Sequence, residues 1–207
     1  MGNRRTGIVL VFLGAALLTG ALLLSLHNER QDTQAGEAAQ SALSDIHEVI
    51  SEEAPADPAV LTGETEATET IATQPPELTV AHIDGNDYVG YLAIPDFSLE
   101  LPVLADWSME KLQIAPCLQY GSPLTDDAVI AGHNFKKHFR ALHDIQPGED
   151  VTFTDMTGRT IFYTVAEVKI LDPKSVDEVI DSEYDLILYT CTIGGKSRVT
   201  VCCNRSE

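Results

Sequence analysis

Basic side chains are scarce in this sequence. Its 207 residues include 13 lysines and arginines against 32 aspartates and glutamates, and the formal net charge is −19. A protein that binds nucleic acid gains much of its affinity by neutralising phosphates with cationic side chains. A chain this acidic would repel phosphates, so we expect no nucleic-acid partner.

Cysteines are also few, and they follow no regular spacing: Cys117, Cys191, Cys202 and Cys203. Their number and spacing do not fit a disulfide scaffold. No Cys-x-x-Cys pair occurs, and the adjacent Cys202 and Cys203 would point to opposite faces of a strand, which is poor geometry for chelating one zinc ion. We therefore expect no metal site and no cofactor.

Charge is absent from one long stretch, residues 7–26. As an α-helix these twenty residues would span about 30 Å, which is the thickness of the hydrocarbon core of a bilayer. The run has the full length of a membrane span and no small-x-small cleavage site follows it, which favours an uncleaved anchor over a signal peptide. Arg4 and Arg5 precede the run, so the N-terminus is predicted to be cytoplasmic and the rest extracellular.

The charge pattern divides the chain into three parts. Residues 1–27 are expected to form a cytoplasmic stub and transmembrane anchor, residues 28–82 an acidic extracellular linker, and residues 83–207 a folded domain. Residues 54–79 are rich in Pro, Thr, Ala and Glu, and such a composition cannot offset the entropy lost on ordering. We predict a disordered tether there, which holds the domain away from the membrane.

The first half of the linker predicts a marginal helix over residues 27–53. One stripe of its surface is apolar, with residues at helical spacing: Ala42, Leu43, Ile46, Val49 and Ile50. The sequence does not indicate what this stripe contacts.

Short runs of strand-forming residues separated by turn signals predict a mainly β domain. A closed or nearly closed β-barrel with short helices as covers fits this pattern best. The hairpin turn at residues 156–159 is the clearest, because Gly158 can adopt positive φ. The predicted strands are Tyr88–Ile94, Leu99–Leu104, Ala128–Ala131, Val151–Thr154, Thr160–Ile170, Leu186–Thr190 and Arg198–Cys203, and the predicted helices are Met109–Ala115, Phe135–His143 and Val176–Ile180.

Two strand ends near the C-terminus place reactive groups together. The apolar run that begins at Leu186 ends at Cys191, Gly194-Gly195 supplies a turn, and Arg198 opens the next run. Cys191 and Arg198 are therefore predicted to lie side by side at one rim of the sheet. A nearby cation favours the thiolate, which is the nucleophilic form of cysteine.

His133 ends a third apolar strand, Val129-Ile-Ala-Gly-His-Asn134, and a rigid strand end can hold it close to Cys191. Imidazole titrates near neutrality and suits an acid–base role, while the guanidinium of Arg198 can donate several hydrogen bonds to an oxyanion. The remaining histidines lie in or beside the linker or in a polar helical stretch: His27, His47, His82, His138 and His143.

These motifs together resemble the sortases, which are membrane-anchored cysteine transpeptidases of mainly Gram-positive bacteria. The resemblance covers roughly residues 83–205. It rests on three features: Gly132-His-Asn134, Ile187-Leu-Tyr-Thr-Cys191 and Arg198. Ile187 stands where the family's Thr-Leu-x-Thr-Cys box begins with threonine. The resemblance implies an eight-stranded barrel, so an eighth strand is expected near residues 115–120.

The resemblance also implies a reaction. Cys191 would attack the Thr–Gly bond of a Leu-Pro-x-Thr-Gly-like sorting signal on a surface protein, with His133 as acid and base. An amine of a peptidoglycan precursor or a pilin would then resolve the thioacyl enzyme. Arg198 would hold the oxyanion, with support expected from Thr190, Thr192 and Asn134.

Within the family, the sequence is most like class B or class D. The pilin-polymerising class usually has a C-terminal anchor and an Asp-Pro-aromatic lid, whereas no apolar segment follows Arg205 and Asp57-Pro58 is followed by Ala59. Two alternatives stay open: a sortase-like thiol hydrolase without transfer, and a non-catalytic membrane-tethered β-domain that binds a surface ligand. A papain-type hydrolase fits less well, because its cysteine precedes its histidine.

Overall fold

The computed structural model describes residues 2–53, 77–180 and 182–206 of the chain. The predicted tether, residues 54–79, lies almost wholly outside these residues. The β-strands are β1 Ala81–Ile83, β2 Asn86–Ile94, β3 Leu99–Leu104, β4 Cys117–Tyr120, β5 Ala128–Ala131, β6 Asp150–Asp155, β7 Thr160–Leu171, β8 Leu186–Cys191 and β9 Arg198–Arg205. The helices are α1 Gly2–Glu53 and α2 Val176–Ile180, with short 3₁₀ helices at Pro95–Phe97, Lys111–Gln113 and Phe139–His143.

Eight of these strands close into a barrel. They follow one another in the order β2-β3-β4-β5-β8-β9-β7-β6, and β6 pairs back onto β2. The remaining strand, β1, is a short addition that pairs with β2. The predicted closed eight-stranded barrel is confirmed, and β4 is the strand expected near residues 115–120. Closure pairs the edges of the sheet, which would otherwise stay exposed.

The side-chain alternation of β8 and β9 separates the side chains that point into the barrel from those that point away from its interior. Leu186 and Leu188 of β8 lie in the main core, together with Val199, Val201 and Cys203 of β9. Successive side chains on a strand point to opposite faces. Arg198, Thr200 and Cys202 therefore lie on the outer face of the barrel, as the sequence pattern predicts.

Two of the predicted helices are shorter in the structure and have 3₁₀ geometry. The predicted helix Met109–Ala115 is reduced to Lys111–Gln113, because Ala115 precedes Pro116 and a residue before proline disfavours helical backbone. The predicted helix Phe135–His143 begins only at Phe139, because the backbone at His138 turns this side chain into the interior, where it is fully buried. The third, Val176–Ile180, is a helix as predicted.

The N-terminal helix α1 is a single element of 52 residues. It is long and apolar enough to cross a membrane, and the side chains of residues 7–26 are exposed almost throughout. The predicted helix over residues 27–53 is its continuation. Four of its residues are buried at a spacing of three or four, which places them on one face: Ala35, Ala39, Ala42 and Ile46.

That buried face packs against the barrel. Ala42 and Ile46 join a core cluster with Tyr88, Leu104 and Met156, while Ala39 contacts the main core. Residues 28–53, which the sequence pattern assigned to the linker, are therefore held on the domain. Residues 54–76 connect α1 to β1. Because α1 contacts β2 and β3 and β1 pairs with β2, the elements before and after these residues both lie against the same barrel.

Candidate active site

His133 lies two residues after the end of β5, and Cys191 is the last residue of the neighbouring parallel strand β8. In the register of β5 and β8, Ala131 lies opposite Tyr189. The backbone N–H of Gly132 donates to the carbonyl of Tyr189 (3.1 Å), and the hydroxyl of Thr190 donates to the carbonyl of Gly132 (2.8 Å). These bonds continue the pairing beyond the strand, so the residues that follow, His133 and Cys191, emerge at the same rim.

Gly132 is required where the β5 strand ends. A Cβ atom at this position would lie 2.4 Å from the ring of Phe139, and Phe139 is fully buried. No other residue type fits this close approach. The glycine thus lets a buried aromatic ring pack directly beneath the backbone that carries His133.

Arg198 lies directly opposite Cys191 in the antiparallel pairing of β8 and β9. Its guanidinium donates long hydrogen bonds to the carbonyls of Ser197 (3.3 Å) and Gly195 (3.5 Å) in the connecting turn. Bonds of this length are weak. The guanidinium can therefore exchange them for an incoming acceptor at little cost.

The turn between Cys191 and Arg198 is fixed by Thr192. Its backbone N–H donates to the carbonyl of Ser197 (2.9 Å), and its hydroxyl accepts from the Ser197 N–H (3.1 Å). Gly194 and Gly195 both have positive φ, as a tight turn needs. The Thr192 N–H, expected to support an oxyanion, is thus engaged in the turn, and the Thr190 hydroxyl is engaged with Gly132.

His133 is half-buried and has defined neighbours. The side-chain amide of Gln113 donates to its Nε2 atom (2.8 Å), which places the ring proton of the neutral form on Nδ1. The ring of Phe135 lies 4.8 Å away, centroid to centroid. Burial lowers the pKa of His133 below its usual value.

A second histidine, His143, contacts the cysteine strand, which sequence reasoning missed. Its Nε2 donates to the backbone carbonyl of Cys191 (3.2 Å). In the sequence it falls within a polar stretch and looks like a surface residue. Only the packing of the Phe139–His143 turn against β8 brings it to the nucleophile.

Cys191 differs from the other three cysteines in its environment. All four are free thiols, and Cys191 alone among them is half-exposed, whereas Cys117, Cys202 and Cys203 are buried. Burial raises the pKa of Cys117 to about 12 and that of Cys202 to about 11, and it also raises the pKa of Cys203. These three thiols stay protonated at neutral pH, and protonated thiols are poor nucleophiles.

A cavity of about 140 Å³ opens beside Arg198 on the outer face of the barrel. The strands contribute Gln119, Tyr189 and Thr200 to its lining, and α2 contributes Val179 and Ile180. The Tyr189 hydroxyl donates to the side chain of Gln119 across this surface. The cavity thus offers an apolar wall and a few polar groups, a combination typical of ligand sites.

Asn134 lines a different cavity. That cleft lies between α1 and the segment after β5, with Glu29 and Asp32 from the helix, Lys136 from the loop and Arg140 from the 3₁₀ helix Phe139–His143. Among the described residues, the buried Asn134 Oδ1 has no hydrogen-bond partner. The structure therefore brings His133, Cys191 and Arg198 to one rim and directs Asn134 toward α1.

Comparison with known proteins identifies the family. Residues 92–206 match the family model of the sortase domain, which is more than half of the chain. A search among curated proteins by sequence finds no match.

Many solved structures share the fold. Sortase C1 from Streptococcus agalactiae is 26% identical, with a TM-score of 0.54, over 60% of this chain and 70% of that chain. Sortase A from Corynebacterium diphtheriae is 22% identical with a TM-score of 0.54, over 59% and 62%. A sortase D5 transpeptidase from Clostridium perfringens is 19% identical with a TM-score of 0.52, over 63% and 83%. From the matched domain and the barrel, we conclude that the chain belongs to the sortase family of cysteine transpeptidases.

Proposed function

We propose that the chain is a single-pass membrane enzyme that transfers surface proteins from a Leu-Pro-x-Thr-Gly-like sorting signal to an amine. The observation that carries this proposal is the arrangement of His133, Cys191 and Arg198 at the ends of three adjacent strands. One rim thus holds a half-exposed thiol, an imidazole and a guanidinium, which are the groups that acyl transfer requires.

In the first half-reaction the Cys191 thiolate attacks the carbonyl carbon between threonine and glycine. A C–S bond forms and the carbonyl oxygen becomes an oxyanion, which Arg198 stabilises after leaving the turn carbonyls. The imidazolium of His133 donates its proton to the glycine nitrogen as the C–N bond breaks. A thioester on Cys191 and a free glycine amine result.

In the second half-reaction an amine attacks the thioester carbonyl. His133, now neutral, accepts the proton of the amine, the C–S bond breaks, and the Cys191 thiolate is restored. Because burial lowers the pKa of His133, the neutral imidazole is the dominant form at pH 7. The second half-reaction therefore uses the dominant, neutral form of His133 as its base, whereas the first half-reaction uses the less populated imidazolium as its acid.

The apolar part of α1 supports a location at the cell membrane. Residues 7–26 are exposed and uncharged, and Arg4 and Arg5 precede them. The positive-inside rule then places the N-terminus in the cytoplasm and the barrel outside. On that side the barrel meets surface proteins and an amine acceptor from a peptidoglycan precursor or a pilin.

A peptide library tests the proposal. Full-length protein in detergent micelles is incubated with peptides built on Leu-Pro-x-Thr-Gly, with and without a glycyl peptide or a lysine amide, and the products are identified by mass spectrometry. We expect cleavage after threonine, an acyl adduct on the enzyme, and an amine-linked product when the amine is present. Cys191→Ala serves as the inactive control and Cys117→Ala as the active one.

Other outcomes separate the alternatives. Release of only the free acid, even with excess amine, would identify a hydrolase. No cleavage of any library member, together with alkylation of Cys191 no faster than that of a cysteine in the denatured protein, would favour a binding domain without catalysis.

A further inference from the structure

We infer that α1 is a positioning element of the active site, because its turn from Asp32 to Gly36 holds the loop that carries His133. This loop, residues 133–138, is called the histidine loop below. The inference deepens the proposed function and rests on it. It is carried by three separate contacts, each between α1 and a different residue of the histidine loop.

Asp32 makes the first contact. Its carboxylate Oδ1 accepts a hydrogen bond from the backbone N–H of Lys136 at 2.6 Å. A charged acceptor makes such bonds shorter and stronger than neutral ones. The bond joins residues that are 104 positions apart in the chain, and it fixes the loop backbone three residues after His133.

Gly36 makes the second contact possible. A Cβ atom at this position would lie 2.7 Å from Cγ and 2.8 Å from Cβ of Lys137. The Lys137 Cβ is bonded to the loop backbone, so it cannot move aside unless the loop moves with it. Glycine inside a helix costs about 1 kcal/mol relative to alanine, and at this position it permits a direct approach of helix and loop.

His138 makes the third contact and connects it to the catalytic ring. The side chain is fully buried against α1, and its Nε2 donates a long hydrogen bond to the carbonyl of Ala35 (3.4 Å). Its ring centroid lies 5.5 Å from that of Phe135, which in turn lies 4.8 Å from that of His133. A row of three packed rings therefore runs from α1 to His133.

The helix itself has a firm base on the barrel, because Ala39, Ala42 and Ile46 are buried in the core clusters. Because α1 is fixed on the barrel and contacts the histidine loop at three residues, a displacement of the helix by about 1 Å would displace the loop as well. Misplacing a catalytic group by that much can cost on the order of a hundredfold in rate. Asp32, Gly36 and His138 act through His133, so they are positioning residues.

The test compares variants of the full-length protein in detergent micelles. Asp32→Ala removes the acceptor for the Lys136 N–H, whereas Asp32→Asn keeps an acceptor oxygen. Gly36→Leu forces the helix away from Lys137 and at the same time raises helix propensity. Glu37→Ala and Ala38→Leu are matched controls, because both residues are exposed on the same helix.

The measurements are kcat and KM for acyl transfer, the alkylation rate of Cys191 and the thermal midpoint. We expect Asp32→Ala and Gly36→Leu to lower kcat by about tenfold or more, with KM for the peptide, Cys191 alkylation and the midpoint nearly unchanged. Asp32→Asn should recover most of the rate, and both controls should match wild type.

Two results would overturn the inference. In one, wild type is active and both variants keep the wild-type kcat. In the other, kcat falls only together with the thermal midpoint, and Asp32→Asn fares no better than Asp32→Ala, which is what a purely structural role predicts. An inactive wild type would instead count against the proposed function and everything that depends on it.

Discussion

The four cysteines of this chain lie in different environments, so we expect their substitution by alanine to affect activity differently. Cys191→Ala should abolish acyl transfer and leave the barrel folded, because Cys191 lies half-exposed at a strand end. Alanine at Cys117, Cys202 or Cys203 should retain activity, since these thiols are buried and stay protonated. Turnover and thermal midpoint of the four variants check this. If activity survived in Cys191→Ala and vanished in Cys117→Ala, the assignment of Cys191 as the nucleophile would be wrong.

Arg198→Lys should cost far more activity than its retained charge suggests. Lysine keeps a cation near Cys191, but it loses the planar group that can donate to an oxyanion and a second carbonyl together. Removing one oxyanion donor in other enzymes lowers kcat on the order of a hundredfold. The ratio of kcat in the two proteins measures the loss. Near-normal turnover of the lysine variant would reduce Arg198 to a source of positive charge.

At the scale of elements, the contact between α1 and the histidine loop should make stability depend on pH. Burial lowers the pKa of His138 to about 4 from 6.5, while the nearby Asp32 raises it and His133 lowers it. A histidine with a depressed pKa in the folded state binds its proton more readily in the unfolded state. Above pH 6.5 the histidine is neutral in both states and the free energy of unfolding is unaffected. As the pH falls from 6.5 toward 4, the unfolded state takes up the proton first, and the free energy of unfolding decreases by about 3 kcal/mol.

Thermal midpoints of the full-length protein between pH 4 and pH 7 check this, with His138→Gln as the variant. The variant should show a flatter dependence on pH, because it has no proton to take up at this position. His82→Gln, which changes an exposed side chain, is the matched control. An unchanged slope in His138→Gln would mean that His138 is protonated equally in both states.

The sequence predicts elements better than it predicts the contacts between them. The bounds of β3 and β5 agree with prediction because a strand's apolar run and the turn residues beside it are local signals. The strand β1, with only three residues, is too short to show any alternation. The apolar stripe of α1 is visible in the sequence, but a stripe does not identify the surface that it meets.

The candidate site shows the same division. His133, Cys191 and Arg198 are predictable because each borders an apolar run: His133 and Cys191 close one, and Arg198 opens one. Gln113 and His143 are not, because their contacts with His133 and Cys191 span 20 and 48 positions in the chain. Such contacts depend on how the 3₁₀ helices fold over the barrel, and no local pattern records that.

For the whole molecule, the docking of α1 predicts where the chain can be shortened. A protein that begins at residue 28 keeps the helix on the barrel and should be soluble and active. One that begins at residue 77 uncovers Tyr88, Leu104 and Met156, and it loses the burial of Ile46, which alone contributes about 2 kcal/mol. We expect a lower thermal midpoint, binding of a hydrophobic dye and weaker transfer. Equal midpoints and rates for the two proteins would contradict this.

In the proposed membrane location, the unbroken course of α1 fixes the distance between the bilayer and the histidine loop. Leu26 ends the apolar run, and Asp32 holds the histidine loop six residues later, which is about 9 Å along a helix. Residues 54–76 do not set this distance, because the elements on both sides of them contact the barrel. If residues 7–26 span the membrane, as proposed, and the helix lies along the bilayer normal, the histidine loop is held about 9 Å beyond the end of the span. For an upright helix we then expect transfer to favour donor proteins whose scissile bond lies about one helix diameter above the lipid surface.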